Sequence, residues 1–599
     1  MVRQISIGTE SFRELRLNDS ELVDKTRMLE HLCYDTAPVL LFPRPRRFGK
    51  TVALSMIREF FSIPVPEPTG KLPAPPAREL FRGLYVDSVW QKVEPHFQRY
   101  PTLNLNFKGM RFTNTEEWWR VLARRLRSLC EQARPLLSQL DETEQDDFTA
   151  LLRGTASHEL LGDALRLLTL FLYRATGQKV LVLIDEYDAP IQDAWVRANE
   201  LTEEAIHRLP TEAEQLEARR EQRAAQQLYD EVIGFFRVFL GNGLKTNDSL
   251  YKGILTGILR ISKESLFSGF NNVKVCTMMS REYADAFGFT EEEVTELFTR
   301  REQVEKLQAA RAWYNGYTFG TFTIYNPWSI LYYLHELPDF PHAYWLNTSE
   351  NALIKQLLRR ATRDIAEEFE RLLLGGAVQQ LIRDALSLGD LAHDREGLFN
   401  LLFWSGYLRA DVCGVMYTGE AIYALKIPNR EVRTLFQESF QEGLYAAASR
   451  GGHSVEQITD SILTGHDKLL QVTLSHLALH LISYLDGDPN DPEAFYQGLM
   501  LGLCAWLEGE YKVRSNRETG LGRADLLILP KQPGKAGAIL ELKSTRTGLS
   551  LDTLIRQGER QLKKRLYAAE LEASGASPLY RWIIAFDGKN LKVKKLKGE

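Results

Sequence analysis

Two groups of residues in this chain have types and spacings that do chemistry on phosphates. The first is Gly49-Lys50-Thr51, the second half of a G-x-x-x-x-G-K-[ST] loop. In such loops backbone N–H groups cradle phosphates, the lysine reaches the β and γ oxygens, and the hydroxyl serves Mg2+. The first glycine of the pattern falls on Arg44, so the match is incomplete and a side chain there must point away from the phosphates. The motif gains weight from Asp185-Glu186, which closes the apolar run 180–184. There Asp185 would hold the Mg2+ shell and Glu186 would polarise an attacking water. Against this stands the plainer reading that G-K-T opens one helix and Asp185-Glu186-Tyr187-Asp188 caps another. Arg260, after Thr256-Gly257-Ile258-Leu259, is either a γ-phosphate sensor or a surface arginine.

The second group lies near the C-terminus. Asp525 begins the apolar run 526–529, and sixteen residues later Glu541-Leu542-Lys543 ends another apolar run. Side chains alternate along a strand, so Glu541 and Lys543 share a face with Leu542 opposite, and a hairpin brings Asp525 to them. Two carboxylates and the Leu542 carbonyl make an all-oxygen site suited to Mg2+ or Mn2+ rather than zinc. Lys543 would position or deprotonate a water, which is phosphodiester-hydrolysis chemistry. E-x-K alone is equally a solvated charge pair on an edge strand. The spacing to Asp525 and the Gly520-Leu521-Gly522-Arg523-Ala524-Asp525 turn argue for the site.

The elements that must carry these residues follow from the hydrophobic pattern. An apolar run, a breaker-rich turn and an amphipathic stretch over 39–61 read as strand, loop and helix. Residues 64–76 are proline-rich, lack several N–H donors and read as a surface loop. Further strands at 102–107, 180–184 and 251–260 alternate with helices, which predicts a parallel sheet covered on both faces. The Glu/Arg/Ala/Gln-rich stretch 196–227 reads as a helical hairpin insertion. Residues 276–450 read as a mostly helical middle domain with aromatic turns, between a first domain at 1–275 and a second α/β domain at 451–599. The lysine-rich end, 589–597, reads equally as a phosphate-contacting strip or an edge strand guarded by lysine.

A resemblance runs through most of the chain. It is carried by Arg44-Pro45-Arg46-Arg47-Phe48-Gly49-Lys50-Thr51, Asp185-Glu186-Tyr187-Asp188, Thr256-Gly257, Trp313-Tyr314-Asn315-Gly316-Tyr317, Asn326-Pro327-Trp328-Ser329, Gly406-Tyr407 and Ile427-Pro428-Asn429-Arg430-Glu431-Val432. These segments resemble the bacterial family of predicted AAA-type ATPases with an R-P-R-R-F-G-K-[ST] loop. The resemblance implies a P-loop NTPase fold binding ATP, with Arg46, Arg47, Phe48, Gly49, Lys50 and Thr51 around the phosphates, and makes an arginine at position 44 usual. The C-terminal carboxylates resemble those of the PD-(D/E)xK nuclease superfamily, which implies a restriction-endonuclease-like α/β domain. Gln561, followed by Tyr567, matches a further motif of that kind. A helix carboxylate often completes such sites; Glu493 is the candidate and Glu518 its rival, while Gln497 stands where relatives often have histidine.

Composition sets the outer limits. The 599 residues hold 74 Lys+Arg against 79 Asp+Glu, a net charge of −5, which excludes a wholesale polycation, so any nucleic-acid contact must be local. The five cysteines are scattered and form neither a disulfide framework nor a zinc cassette. No apolar run is long enough to cross a bilayer, and the chain reads as cytoplasmic with no membrane partner. The expectation is an ATP-binding protein, an ATPase coupled to a divalent-metal-dependent nuclease, with nucleic acid as partner, DNA favoured over RNA. A nucleotide-dependent switch or scaffold with a non-cleaving nuclease-like domain is the alternative, and homo-oligomerisation is left open.

Overall fold

The computed structural model describes residues 3–596 apart from 66–72, 138–139, 201–205, 208, 262–271, 346–362, 374, 384–394, 437–454, 483–495, 497–499, 502, 505, 516–524, 545–548, 565–574 and 588–589. These residues form two compact units, one of Met1–Leu353 with Gln379–Glu431, the other of Ile354–Val378 with Val432–Glu599. Among the described residues no helix is long and apolar enough to cross a membrane.

The first unit is built on five parallel strands, β1 (Val39–Pro43), β2 (Thr102–Asn106), β3 (Val180–Asp185), β4 (Leu250–Gly257) and β5 (Val273–Val275). Every residue of β1 and β3 is buried, as expected of unbroken Val/Leu/Ile runs covered on both faces. The strand order is β2-β3-β4-β1-β5, so the chain leaves β1 for the far edge and works back to its side. This order sets the C-terminal ends of β1, β4 and β3 next to one another: Pro43 is paired with Gly257, Leu255 with Ile184. Loops leaving those ends converge at one edge of the sheet, where open α/β sheets hold ligands.

Helix Lys50–Phe61 starts from Gly49, whose φ of 83° lies in the left-handed region that glycine enters without strain. It packs against the sheet through Ala53, Leu54, Ile57, Phe60 and Phe61, spaced for one helical face. The stretch read as a helical insertion belongs, in its described residues, to helix Ala189–Ala198 and to the polar first half of the 33-residue helix Glu212–Leu244, which pack on each other. A Thr211/Glu214 capping box starts the long helix, and its second half buries Leu228, Val232, Phe236 and Phe239.

The middle region is helical with two small sheets that the sequence reading did not place. Strands β6 (Phe289–Thr290), β7 (Tyr317–Phe319) and β8 (Phe322–Tyr325) form one; β9 (Val378–Leu381), β10 (Arg409–Val415) and β11 (Ala421–Lys426) form the other. Glu431 is fully buried here and accepts hydrogen bonds from Ser329 Oγ at 2.8 Å and Trp345 N at 2.8 Å. Burial pushes its carboxyl from 4.5 up to about 7, against those hydrogen bonds, which pull it down. The fold therefore keeps a proton that the unfolded chain gives up, so this contribution to stability is complete below pH 4.5 and is lost as pH rises through about 7. Glu431→Gln should flatten the fall in melting temperature between pH 5 and 7.5, a window on the order of 3 kcal/mol in the wild type. Parallel pH profiles for the two proteins would refute it.

The second unit has a mixed sheet, β12 (Tyr511–Ser515), β13 (Leu526–Pro530), β14 (Gly537–Ser544), β15 (Leu579–Asp587) and β16 (Asn590–Leu596), in that order. Only β14 and β15 run parallel. Two apolar cores cover its faces. Leu526, Leu540, Leu542 and Trp582 meet helices Val455–Thr464 and Asp467–Ile482, while Leu527, Ile539 and Ile583 meet helix Leu551–Lys564. On the edge strand β16, Lys592 pairs with Asp552, Lys594 with Glu559, and Lys595 donates to the Gly465 carbonyl. Among the described residues, the lysines of this edge strand are thus engaged within their own unit.

Candidate nucleotide and nuclease sites

Arg44 turns inward from the phosphate loop. Its fully buried guanidinium donates to the carbonyls of Pro43 at 2.9 Å, Cys276 at 2.6 Å and Tyr283 at 3.2 Å, and burial pushes its pKa down to about 10. The side chain in place of the usual glycine therefore braces the loop from behind. Phe48 is buried with its ring edge-on to Tyr317, 5.0 Å between centroids, and Arg47 lies over Trp328 at 4.1 Å. A Cβ on Gly406 would come within 2.8 Å of Pro45, so the glycine allows the middle region to close on the loop. The aromatic turns noticed in the sequence are the loop's supports.

Inside this brace, Lys50 Nζ donates to the carbonyls of Arg44 and Pro45, both at 3.0 Å. Burial pushes the ammonium below its ordinary pKa, opposed by Glu186, Asp185 and Asp188. Thr51 Oγ1 donates to Asp185 Oδ2 at 2.7 Å, so the two residues expected to share Mg2+ are already adjacent. Asp185 also accepts from Thr256 Oγ1 and from Asn106 Nδ2, the latter at 3.3 Å. Neither Thr256 nor Asn106 was identified as a site residue from the sequence; both sit where neighbouring strands end beside β3. Glu186 is half-buried with φ at 51°, a left-handed conformation rare for this residue type.

The rest of the Asp185–Asp188 segment is a latch. Asp188 Oδ2 accepts from the backbone of Ile258 and Leu259 at 2.9 and 2.8 Å, and Tyr187 donates to the Leu259 carbonyl at 2.6 Å. A Cβ on Gly257 would meet Asp188 Oδ1 at 2.6 Å, which accounts for glycine there. Arg260 follows this latch, half-buried and close to Tyr187, and its Nε is buried with no hydrogen-bond partner among the described residues. Arg46 is half-buried near Lys50 and Tyr407. Beside Gly49 and Val52 lies an apolar cavity of about 130 Å3, walled by Ile5, Thr9, Phe289 and Leu331.

In the second unit, β13 and β14 pair Leu526 with Leu540, so continuing the register sets Asp525 opposite Glu541. With Leu540 and Leu542 on one face, Glu541 and Lys543 share the other with Ile539, beneath helix Leu551–Lys564. Asp525 Oδ2 accepts from Leu542 N at 2.7 Å. Lys543 Nζ lies 2.7 Å from the Leu542 carbonyl, 3.1 Å from Glu541 Oε1 and 3.8 Å from Asp525 Oδ2. Glu541 is fully buried and Lys543 nearly so. The ammonium thus rests among the oxygens that suit a hard cation. Gln561 is half-buried one helical turn beyond Gly558, which lies against Ile583, the register partner of Glu541.

Residues 6–212 match the family model described as predicted AAA-ATPase, and residues 491–596 match that of the PD-(D/E)XK nuclease superfamily. Two regions of the chain are thus similar to these two domain families. It is also similar, at 26% identity over 532 residues, to an uncharacterized protein in the vnfD 5' region of Azotobacter chroococcum mcd 1, with 88% of this chain and 87% of that protein covered. The AAA-ATPase-like domain supports nucleotide binding, and the nuclease-like domain points to nucleic acid as substrate or partner; domains of these types generally use a nucleotide and a divalent metal. Within the nuclease-like domain, Glu493, Gln497, Glu518 and Tyr567 lie outside the described residues. Among the described residues no cluster of three or more His, Cys, Asp or Glu side chains comes together around a metal position.

Proposed function

We propose that this protein is an ATP-binding, divalent-metal-dependent nuclease in which the N-terminal domain's nucleotide state governs phosphodiester cleavage at the C-terminal site, with DNA as the favoured substrate. The observation that carries the reading is the convergence of Asp525, Glu541, the Leu542 carbonyl and Lys543 on one face of the sheet. The donor set is all oxygen and already surrounds a positive charge, which fits Mg2+ or Mn2+. Such an ion, held by Asp525, Glu541 and the Leu542 carbonyl, would supply Lewis acidity for hydrolysis. Lys543 Nζ would orient the hydrolytic water or take its proton, and Gln561 would steady the substrate from the overlying helix.

In the AAA-ATPase-like domain, Gly49, Lys50 and the loop from Arg46 would hold the phosphates, Thr51 and Asp185 the Mg2+ of the nucleotide, and the cavity beside Val52 the base. Glu186 would orient a water and Arg260 would meet the γ-phosphate. A second reading, a nucleotide-dependent switch that binds nucleic acid without cutting it, draws on the ammonium of Lys543 resting among the site's oxygens. Calorimetry with Mn2+ separates the two. The nuclease reading expects a site on the full chain that weakens at least about tenfold in Asp525→Ala, and the switch reading expects none that depends on Asp525.

A further inference from the structure

Around the phosphate loop the positive groups differ in how they are held. Arg44 faces away into carbonyls, Lys50 is folded on the loop, and Arg47 is stacked on Trp328. Lys108 is held otherwise. Its Nζ donates to Glu10 at 2.6 Å, and the pair is partly open to solvent, with side chains 35% and 47% exposed. An ion pair this exposed holds its partners weakly.

The backbone of Lys108 is by contrast fixed beside the site. Its N–H donates to Asn106 Oδ1 at 2.7 Å, while Asn106 Nδ2 donates to Asp185. Phe107 N donates to the Asp185 carbonyl at 3.0 Å, and the Lys108 carbonyl accepts from Arg125. The ammonium feels the charges of both Glu186, which follows Asp185, and Arg47, which belongs to the phosphate loop. Glu10 belongs to an N-terminal strap tied to the phosphate-loop helix, since Phe12 N donates to Ser55 Oγ at 3.0 Å, and Thr9 of the same strap lines the cavity beside Gly49.

We propose that Lys108 is the residue that distinguishes a nucleoside triphosphate from a diphosphate, held on Glu10 until a γ-phosphate draws its ammonium into the site. A terminal phosphate outcompetes Glu10 because it brings more charge and three acceptor oxygens, against one half-exposed carboxylate. The flexible four-carbon stem lets the ammonium move while the backbone stays fixed. This inference rests on the nucleotide-site reading above and goes beyond it, because no loop motif contains position 108.

The test is calorimetric titration of the full-length protein with ADP and with a non-hydrolysable ATP analogue, both with Mg2+. Lys108→Met should reduce the preference for the triphosphate by about tenfold while leaving ADP affinity within about twofold. Glu10→Gln should act with the opposite sign and raise that preference, an effect no merely structural role for the pair produces. An unchanged preference in Lys108→Met, or a lowered one in Glu10→Gln, overturns the proposal while the nucleotide reading survives. If the wild-type protein binds neither nucleotide, both readings fall together.

Discussion

Lys543→Met should remove the proposed divalent-dependent cleavage, with an expected loss of about 10²–10³-fold or more, and with a signature in stability. Glu541 is wholly buried with the Lys543 ammonium 3.1 Å away, so the substitution removes a positive charge from beside a buried carboxylate. Breaking such a pair costs about 3–5 kcal/mol, and the metal-free variant should melt well below the wild type. The same change clears a competing cation from the oxygens of Asp525, Glu541 and Leu542. Mn2+ should therefore raise the melting temperature of Lys543→Met more than that of the wild type, while cleavage stays lost. Equal stabilisation of the two proteins by Mn2+ would mean that the ammonium and the ion do not share one place.

Lys50→Ala gives the second large effect, loss of nucleotide binding by at least about 10²-fold, without the structural penalty. Lys50 is buried on two backbone carbonyls, and burial holds its ammonium below the ordinary pKa, so the folded protein gains little from that charge. Melting without nucleotide should change little. Wild-type protein saturated at 100 times Kd should gain about 2.7 kcal/mol from ATP, and Lys50→Ala should gain nothing measurable. A variant still stabilised by ATP to the wild-type extent would remove the phosphate loop from the account.

Where the sequence could be read with certainty, a single physical signal stood alone. The unbroken apolar runs of β1 and β3 had to be interior strands, and the alternation at Glu541-Leu542-Lys543 sets two charges against one core leucine. The inward Arg44 was also foreseeable, because a side chain on that loop position has no room on the phosphate side. The small middle sheets were hidden because strands of two to seven residues between aromatic turns carry too few periods to separate from helix ends. Lys108 and Glu10 were invisible for a different reason: 98 residues separate them, and only the folded chain brings the segment after β2 to the N-terminal strap. Thr256 and Asn106 likewise take meaning from lying beside Asp185 in the sheet.

The central claim, that nucleotide state at one site governs cleavage at the other, is tested most directly by one cleavage panel. Linear, circular and single-stranded DNA and RNA would be incubated with Mg2+ or Mn2+, with and without ATP, using wild type, Lys543→Met and Lys50→Ala. The account predicts cutting by the wild type that ATP alters, none by Lys543→Met, and cutting by Lys50→Ala that no longer responds to ATP. No cutting of any substrate by a wild-type protein that binds ATP would contradict it and, with no Mn2+ site that depends on Asp525, leave the switch reading in its place.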